Sequence, residues 1–248
     1  MYVDFHTHLH SYSDRGTASL EIAESQILSV GCSVDISSYL ITKDLAKSNP
    51  YILPTFGIHP MRSGEVTSLS EIDDSLQDSQ LIGEIGLDNC WVKDVEPKAQ
   101  ERVFEYILAH CHDTEKYCVI HTKDAERRVA DLLRAFPKAK PIIHWYDGPI
   151  AVYEELLSRN SSFTFGCEVF YSDHIKTLLR MTPSELVLSE TDNPDSEKWL
   201  GGISDSPKLI ARVVKDISAV KNIDEQEMEA ILLANSLRIL HESHINTP

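Results

Sequence analysis

The segment CVIHTKDAERRVADLLRAFPKAKPIIH, residues 118–144, has the pattern of a strand, a helix and a second strand in succession. Its first and last pieces, Cys118–His121 and Pro141–His144, are short apolar runs typical of buried strands. Between them, apolar residues recur at helical spacing, which predicts an amphipathic helix over Glu126–Ala135. A helix that connects two apolar strands is typical of a β/α unit with parallel strands.

The same alternation extends along the whole chain. The predicted strands are Tyr2–Phe5, Ile27–Val34, Ile52–Ile58, Leu81–Ile85, Cys118–His121, Pro141–His144, Ser162–Phe165 and Leu186–Ser189. Helical spacing is clearest at Ala99–Ala109 and Glu126–Ala135, and two more helices are predicted near Pro207–Val220 and Glu225–Ile239. Eight strand–helix repeats in 248 residues predict an α/β fold, a (β/α)8 TIM barrel formed as a single domain over residues 1–248. An open doubly wound sheet is the alternative, although no Gly-x-Gly-x-x-Gly follows the first strand.

Composition and charge restrict the function. With 42% hydrophobic and 25% charged residues, the chain has the composition of a folded domain. Its formal net charge of −16 has the wrong sign for broad adhesion to nucleic acid or to an anionic membrane, so a polyanionic substrate needs local compensation, which bound divalent cations supply. Five cysteines without a C-x-x-C pair, no run of 18 apolar residues and no signal-peptide pattern at the N-terminus predict a cytoplasmic protein with no membrane partner.

A pair of histidines on the first strand is the first candidate metal site. His6 and His8 are two residues apart in an extended segment, so both imidazoles project from the same face of the strand. The alternative is two histidines in a polar loop. His110 and His112 have the same spacing inside a predicted helix, where residues two apart diverge around the axis, so this second pair is not expected to bind a metal ion.

Further ligand-type residues occur at the ends of four other predicted strands: Glu84, His121, His144 and Asp192. Strand ends of a barrel meet at one mouth, so the residues can converge despite their distance in sequence. Taken singly, the histidines fit buried hydrogen-bonded residues and the carboxylates fit helix caps. Four imidazoles and two carboxylates are too many for one tetrahedral ion, which predicts two divalent ions, Zn²⁺, Mn²⁺, Mg²⁺ or Ni²⁺.

Six collinear motifs resemble the TatD family of metal-dependent deoxyribonucleases. They are Val3–His8 (VDFHTH), Phe56–Pro60 (FGIHP), Gly83–Asp88 (GEIGLD), Ile120–Ala125 (IHTKDA), Ile143–Gly148 (IHWYDG) and Glu190–Pro194 (ETDNP). The resemblance covers essentially the whole chain and implies a TIM-barrel hydrolase with a two-metal site. It also implies hydrolysis of phosphodiester bonds in DNA, commonly as an exonuclease that acts from the 3′ end.

The resemblance also implies roles for individual residues. His6, His8 and Asp192 would hold one ion, and His121 and His144 the other. The bridge between the ions would be Glu84.

Three further residues are expected to bind substrate. His59 and Lys123 would contact the phosphate, and Trp145, or its neighbour Tyr146, would stack on a terminal base or else pack at the strand end. Lys123 stands where relatives often have Arg, which replaces a bidentate clamp by a point charge. Asp192 is the candidate general base, so Glu84 and Asp192 are the predicted catalytic residues.

Two other functions stay open from the sequence. The first is an amidohydrolase-type enzyme that uses the same binuclear site on a C–N or ester bond of a small molecule. The second is a non-catalytic, metal-stabilised module that binds a partner protein.

The stretch from Lys123 to Lys140 has six basic and three acidic residues, and either guides phosphate toward the mouth or forms the solvated face of a helix. The metal identity, the choice of DNA or RNA and the oligomeric state are left open.

Overall fold

The computed structural model describes residues 1–194, 196 and 205–248, and within them strands and helices alternate as predicted. The strands are β1 (Val3–Thr7), β2 (Leu28–Cys32), β3 (Ile52–Thr55), β4 (Ile82–Asp88), β5 (Tyr117–Lys123), β6 (Lys140–His144), β7 (Ser162–Phe165) and β8 (Val187–Ser189). The helices are α1 (Arg15–Ser25), α2 (Ile36–Ala46), α3 (Asp73–Asp78), α4 (Pro97–Thr114), α5 (Glu126–Ala135), α6 (Ile150–Ser158), α7 (Asp173–Met181), α8 (Leu209–Lys221) and α9 (Glu225–Glu242).

The eight predicted strands all form, but β1, β4 and β5 continue past the carboxyl ends of their apolar runs. β4 continues from Ile85 to Asp88, and β5 continues past His121 to Lys123. The two extensions pair with each other, since Gly86 lies opposite His121 and Asp88 lies opposite Lys123 in the parallel ladder. Apolar periodicity ends where polar side chains begin, so a pattern of hydrophobic residues underestimates strands whose ends are polar.

The described residues form two compact units, and each is considered by itself. The first contains Met1–Gly31, Leu40–Pro54 and Phe163–Pro248. In this unit β1 pairs in parallel with β2, with Val3 opposite Leu28, and β7 pairs in parallel with β8. A hydrogen bond of 2.6 Å from the Ser189 hydroxyl to the Val3 carbonyl connects β8 to β1. All the residues of β1, β2 and β8 are buried, as expected of parallel strands that are covered on both faces.

The second unit contains Cys32–Tyr39 and Thr55–Ser162. Here β5 pairs in parallel with both β4 and β6, and the register places His121 directly opposite His144. The helices α4 and α5 bury their predicted apolar faces, and α5 has the predicted bounds. The prediction of a single domain over residues 1–248 stays a prediction. None of the helices in the described part of the chain is long and apolar enough to cross a membrane.

Gly86 allows β4 and β5 to approach each other at the polar ends of the two strands. Its φ of +146° lies in a region that L side chains rarely adopt. A Cβ atom at this position would lie 1.9 Å from the carbonyl oxygen of His121. Only glycine therefore permits the close pairing that positions His121.

We expect Gly86→Ala to lower the free energy of unfolding by about 3 kcal/mol, because the added methyl group forces the two backbones apart. Gly16→Ala is the matched control, since a Cβ at Gly16 would lie at an ordinary contact distance of 3.4 Å from the Asp14 carboxylate. The control should change stability by less than about 1 kcal/mol. Urea unfolding measures both variants, and equal effects of the two substitutions would contradict the explanation.

Candidate metal centre

In the first unit, two imidazoles and one carboxylate converge. His6 is the fourth residue of β1 and His8 follows the strand. Their Nε2 atoms are 3.3 Å apart. The Oδ1 atom of Asp192 lies 3.5 Å from Nε2 of His6 and 3.2 Å from Nε2 of His8. The His6 side chain is fully buried, whereas those of His8 and Asp192 are 12% and 16% exposed. Two imidazoles and a carboxylate are a donor set that suits a divalent ion.

Backbone hydrogen bonds explain why residues so far apart in sequence meet. The amide of Asp192 donates to the His6 carbonyl at 3.0 Å, and the amide of His8 donates to the Asn193 carbonyl at 2.8 Å. The Thr7 hydroxyl donates to the same Asn193 carbonyl at 3.1 Å. The segment that follows β8 therefore continues alongside β1 and carries Asp192 to the two histidines.

A second carboxylate, Asp4, lies next to this cluster on β1. Asp4 and His6 are two residues apart on the strand, so both side chains project from the same face. Its carboxylate accepts hydrogen bonds from the backbone amide and the hydroxyl of Thr191, at 2.9 and 2.6 Å. Burial raises the pKa of Asp4 to about 7 despite these donors. The sequence analysis quoted Asp4 within a motif but gave it no role.

In the second unit, three imidazoles surround the Glu84 carboxylate. Its Oε1 atom lies 3.0 Å from Nδ1 of His121, 3.6 Å from Nε2 of His59 and 3.8 Å from Nε2 of His144. The Glu84 side chain is 1% exposed. His121 and His144 are opposite each other on β5 and β6, and their ring centroids are 6.1 Å apart.

Asp88 orients His121 from the other side. Nε2 of His121 lies 3.0 Å from Oδ2 of Asp88, so its two ring nitrogens face two different carboxylates. Burial by itself would lower the pKa of His121, but the hydrogen bonds to Asp88 and Glu84 outweigh it and raise that pKa to about 9. Burial also opposes ionisation of Asp88, yet His121 and backbone amides lower the pKa of Asp88 to about 2.

Sequence reasoning missed the role of Asp88, although a signal for it was available. Glu84 and Asp88 are four residues apart along β4, so their side chains project from the same face. An acidic residue that holds the second nitrogen of a histidine fixes the tautomer and the orientation of a metal ligand.

The chemistry of the donors fits a metal ion. The ligand atoms of His59, Glu84 and His121 lie within 4.8 Å of one another, and all three residues are buried. Imidazole nitrogens and carboxylate oxygens are the donors that zinc and similar ions take in proteins. A carboxylate buried among imidazoles is stabilised by positive charge, which the protonated His121 imidazole supplies without a metal and a bound cation would supply in its place.

The predicted substrate residues lie in different surroundings. His59 lies in the Glu84 cluster, where its position suits a ligand as well as a phosphate contact. The ammonium group of Lys123 contacts the Asp147 carboxylate and lies 4.7 Å from the ring centroid of Trp91. The Trp145 ring lies 6.2 Å from that of His144. Tyr146 is buried, and its hydroxyl donates to the Pro149 carbonyl, so this alternative to Trp145 presents no stacking face.

The basic stretch that begins at Lys123 is neutralised by neighbouring carboxylates. Arg127 and Arg134 both pair with Glu155, and Arg128 pairs with Glu101. Lys138 pairs with Glu115. The geometry therefore favours the solvated face of a helix over a surface that guides phosphate.

The two histidines of α4, His110 and His112, contact different residues. Nδ1 of His112 accepts a hydrogen bond of 3.1 Å from the Lys138 amide, and Nε2 of His110 lies 3.5 Å from Nζ of Lys116. The two imidazoles therefore have different partners.

Comparison with known proteins gives a consistent result. The family model for TatD-related DNases matches residues 3–241. An uncharacterized metal-dependent hydrolase of Methanocaldococcus jannaschii is 24% identical over 96% of both chains. A protein of Citrobacter rodentium named 3′-5′ ssDNA/RNA exonuclease TatD is 25% identical over 79% of both chains.

Among solved structures, a TatD homologue from Escherichia coli K12 is similar to this chain with a TM-score of 0.85 and 18% identity. The similarity covers 96% of this chain and 97% of that chain. It confirms the predicted (β/α)8 TIM barrel.

We expect Thr191→Val to lower the free energy of unfolding by about 1–3 kcal/mol, because the buried Asp4 carboxylate loses a hydroxyl donor. Thr177→Val is the control, since the Thr177 hydroxyl donates to the Asp173 carbonyl on the exposed surface of α7. Urea unfolding of both variants gives the comparison. If Thr191→Val is no more costly than Thr177→Val, the hydroxyl does not stabilise Asp4.

Proposed function

Because the chain belongs to the family of TatD-related DNases, we propose that it is a divalent-metal-dependent hydrolase of phosphodiester bonds, a deoxyribonuclease of the 3′-5′ exonuclease type. The observation that carries this proposal is the convergence of three imidazoles on the buried Glu84 carboxylate. An acidic chain that acts on a polyanion needs concentrated positive charge at the reacting phosphate. The side chains of this cluster are ligands for the cations that would supply this charge.

Each cluster would hold one ion. The proposed ligands in the first unit are His6, His8 and Asp192, and those in the second unit are Glu84, His121 and His144. When bound, such ions lower the pKa of water and neutralise the charge that builds on phosphoryl oxygens. The bridging role of Glu84 stays a prediction, as does the identity of the metal.

The side chains of this protein have distinct tasks in the reaction. Asp192 accepts the proton of the attacking water at its carboxylate, which lies at the partly exposed edge of its cluster. Asp88 keeps the ring of His121 in one orientation through the hydrogen bond to Nε2. Lys123 reaches a substrate phosphate by exchanging the Asp147 carboxylate for a phosphate oxygen, so the phosphate competes with an existing ion pair.

The charge of the protein suits a substrate that is bound through few phosphates, such as the end of a DNA strand. The net charge is −16, and the arginines of the basic stretch that begins at Lys123 pair with carboxylates, which disfavours binding of this stretch along duplex phosphates. Binding that depends on few phosphates is only weakly sensitive to salt. We therefore propose single-stranded DNA or a 3′ end as the substrate. We also propose a cytoplasmic location, with which the five free cysteines agree.

Metal content tests the ligand assignment. After removal of metal with a chelator and reloading, we expect about two divalent ions per chain by mass spectrometry of the metals. His6→Ala and His121→Ala should each lose about one of them. His112→Ala is the control, because it removes a histidine that has the same spacing within its pair but lies outside both clusters. Loss of metal from the control, or full metal content in both ligand variants, would disprove the assignment.

End-labelled single-stranded DNA tests the activity. We expect metal-dependent release of 3′-terminal nucleotides, reduced at least about a hundredfold in Glu84→Gln and Asp192→Asn, because each variant loses a predicted ligand charge. Glu101→Gln removes a surface carboxylate that pairs with Arg128 and should keep full activity.

The same assay separates the other functions. A metal-loaded wild type that leaves DNA and RNA intact would overturn the nuclease proposal. Hydrolysis of small amides or esters would then indicate the amidohydrolase-type enzyme. No hydrolysis of any substrate would indicate the metal-stabilised binding module.

A further inference from the structure

Trp91 places a large aromatic surface beside the second metal cluster. The residue follows the end of β4 and is 48% exposed. A single exposed tryptophan is by itself an ordinary feature of a protein surface. The position of this one is informative, because its ring centroid lies 6.2 Å from that of His121, a proposed metal ligand.

Hydrogen bonds fix the segment that carries Trp91. Oδ1 of Asp88 accepts the backbone amides of Cys90 and Trp91, at 2.8 and 2.7 Å. The other oxygen of the same carboxylate holds His121. Gln100 fixes Asp88 in turn, since its side chain accepts the Asp88 amide and donates to the Asp88 carbonyl, at 2.9 and 3.0 Å. The Asp88 carboxylate thus positions both the His121 ring and the backbone of Trp91.

A cation restrains the ring. Nζ of Lys123 lies 4.7 Å from the centroid of Trp91 and contacts the Asp147 carboxylate. A cation over an indole face is attracted by the electrons of the ring. A ring that is already restrained loses little conformational entropy when a ligand stacks on it.

We infer that Trp91 is a stacking platform for a nucleobase next to the scissile phosphate. This inference rests on the proposed function and adds a contact to the base, separate from the stacking predicted for Trp145. Stacking suits this acidic chain because it does not depend on charge, and it accepts any base because every base has an aromatic face. The ring lies beside the metal cluster, so the contacted base belongs to a nucleotide that adjoins the cleaved bond.

A cycle of protein and substrate variants tests the contact. The substrates are a single-stranded oligonucleotide and three copies of it, each with an abasic nucleotide at one of the three 3′-terminal positions. On the intact oligonucleotide, we expect Trp91→Ala to lower kcat/KM by roughly 5- to 150-fold, mainly through KM. Trp91→Phe should retain most of the wild-type value, because it keeps an aromatic ring.

The abasic substrates decide whether the lost contact is to a base. At one position, removal of the base should slow the wild type to the rate of Trp91→Ala and have little further effect on that variant. Leu20→Ala, which shortens an apolar side chain of α1 that is 58% exposed, should match the wild type on every substrate. The inference is overturned if Trp91→Ala matches the wild type on the intact oligonucleotide, or if it causes the same loss at every abasic position.

Failure of the proposed function gives a different result. If the metal-loaded wild type cleaves none of the oligonucleotides, the same four substrates are labelled with fluorescein, and their dissociation constants are measured by anisotropy. A loss of affinity in Trp91→Ala that disappears with one abasic substrate supports the stacking contact without nuclease activity. Absence of binding, or a loss that does not depend on the base, overturns the stacking contact as well.

Discussion

Buried carboxylates constrain both clusters. A carboxylate removed from water costs several kcal/mol unless donors or positive charges replace the lost solvent. The Asp4 carboxylate accepts hydrogen bonds from the amide and the hydroxyl of Thr191. These two bonds help to hold the segment after β8 against β1. The Asp88 carboxylate accepts hydrogen bonds from three backbone amides and contacts the ring of His121. Glu84 differs from both, because imidazoles surround it, and an imidazole nitrogen either donates a hydrogen bond or, when unprotonated, binds a metal ion.

The register of the parallel strands brings the ligand-type side chains together. The parallel pairing of β5 and β6 places His121 opposite His144. Gly86 lets β4 approach β5 closely at His121. The polar side chains therefore gather at the carboxyl ends of the strands, where loops also begin. Asp88 extends the order of the strand into the loop that follows it, so the exposed ring of Trp91 is positioned by the same carboxylate that orients His121.

Charge is organised locally rather than over the whole surface. The chain is strongly acidic, and the arginines of the basic stretch pair with glutamates on neighbouring helices. Under the proposed function, ions bound by the clusters and contacts that are not electrostatic would supply the attraction for a phosphodiester. The proposed metal ligands and the proposed stacking contact of Trp91 are complementary answers to this one requirement.

The sequence by itself determined the alternation of eight strands with helices, because apolar periodicity reflects burial and needs no knowledge of distant contacts. It also identified the residue types at the strand ends, including His6, Glu84 and His121. The tertiary structure decided how those residues are supported. The partners of Asp4 and Asp88, the position of His59 beside Glu84 and the burial of Tyr146 depend on contacts between segments distant in sequence, and local patterns do not contain such contacts.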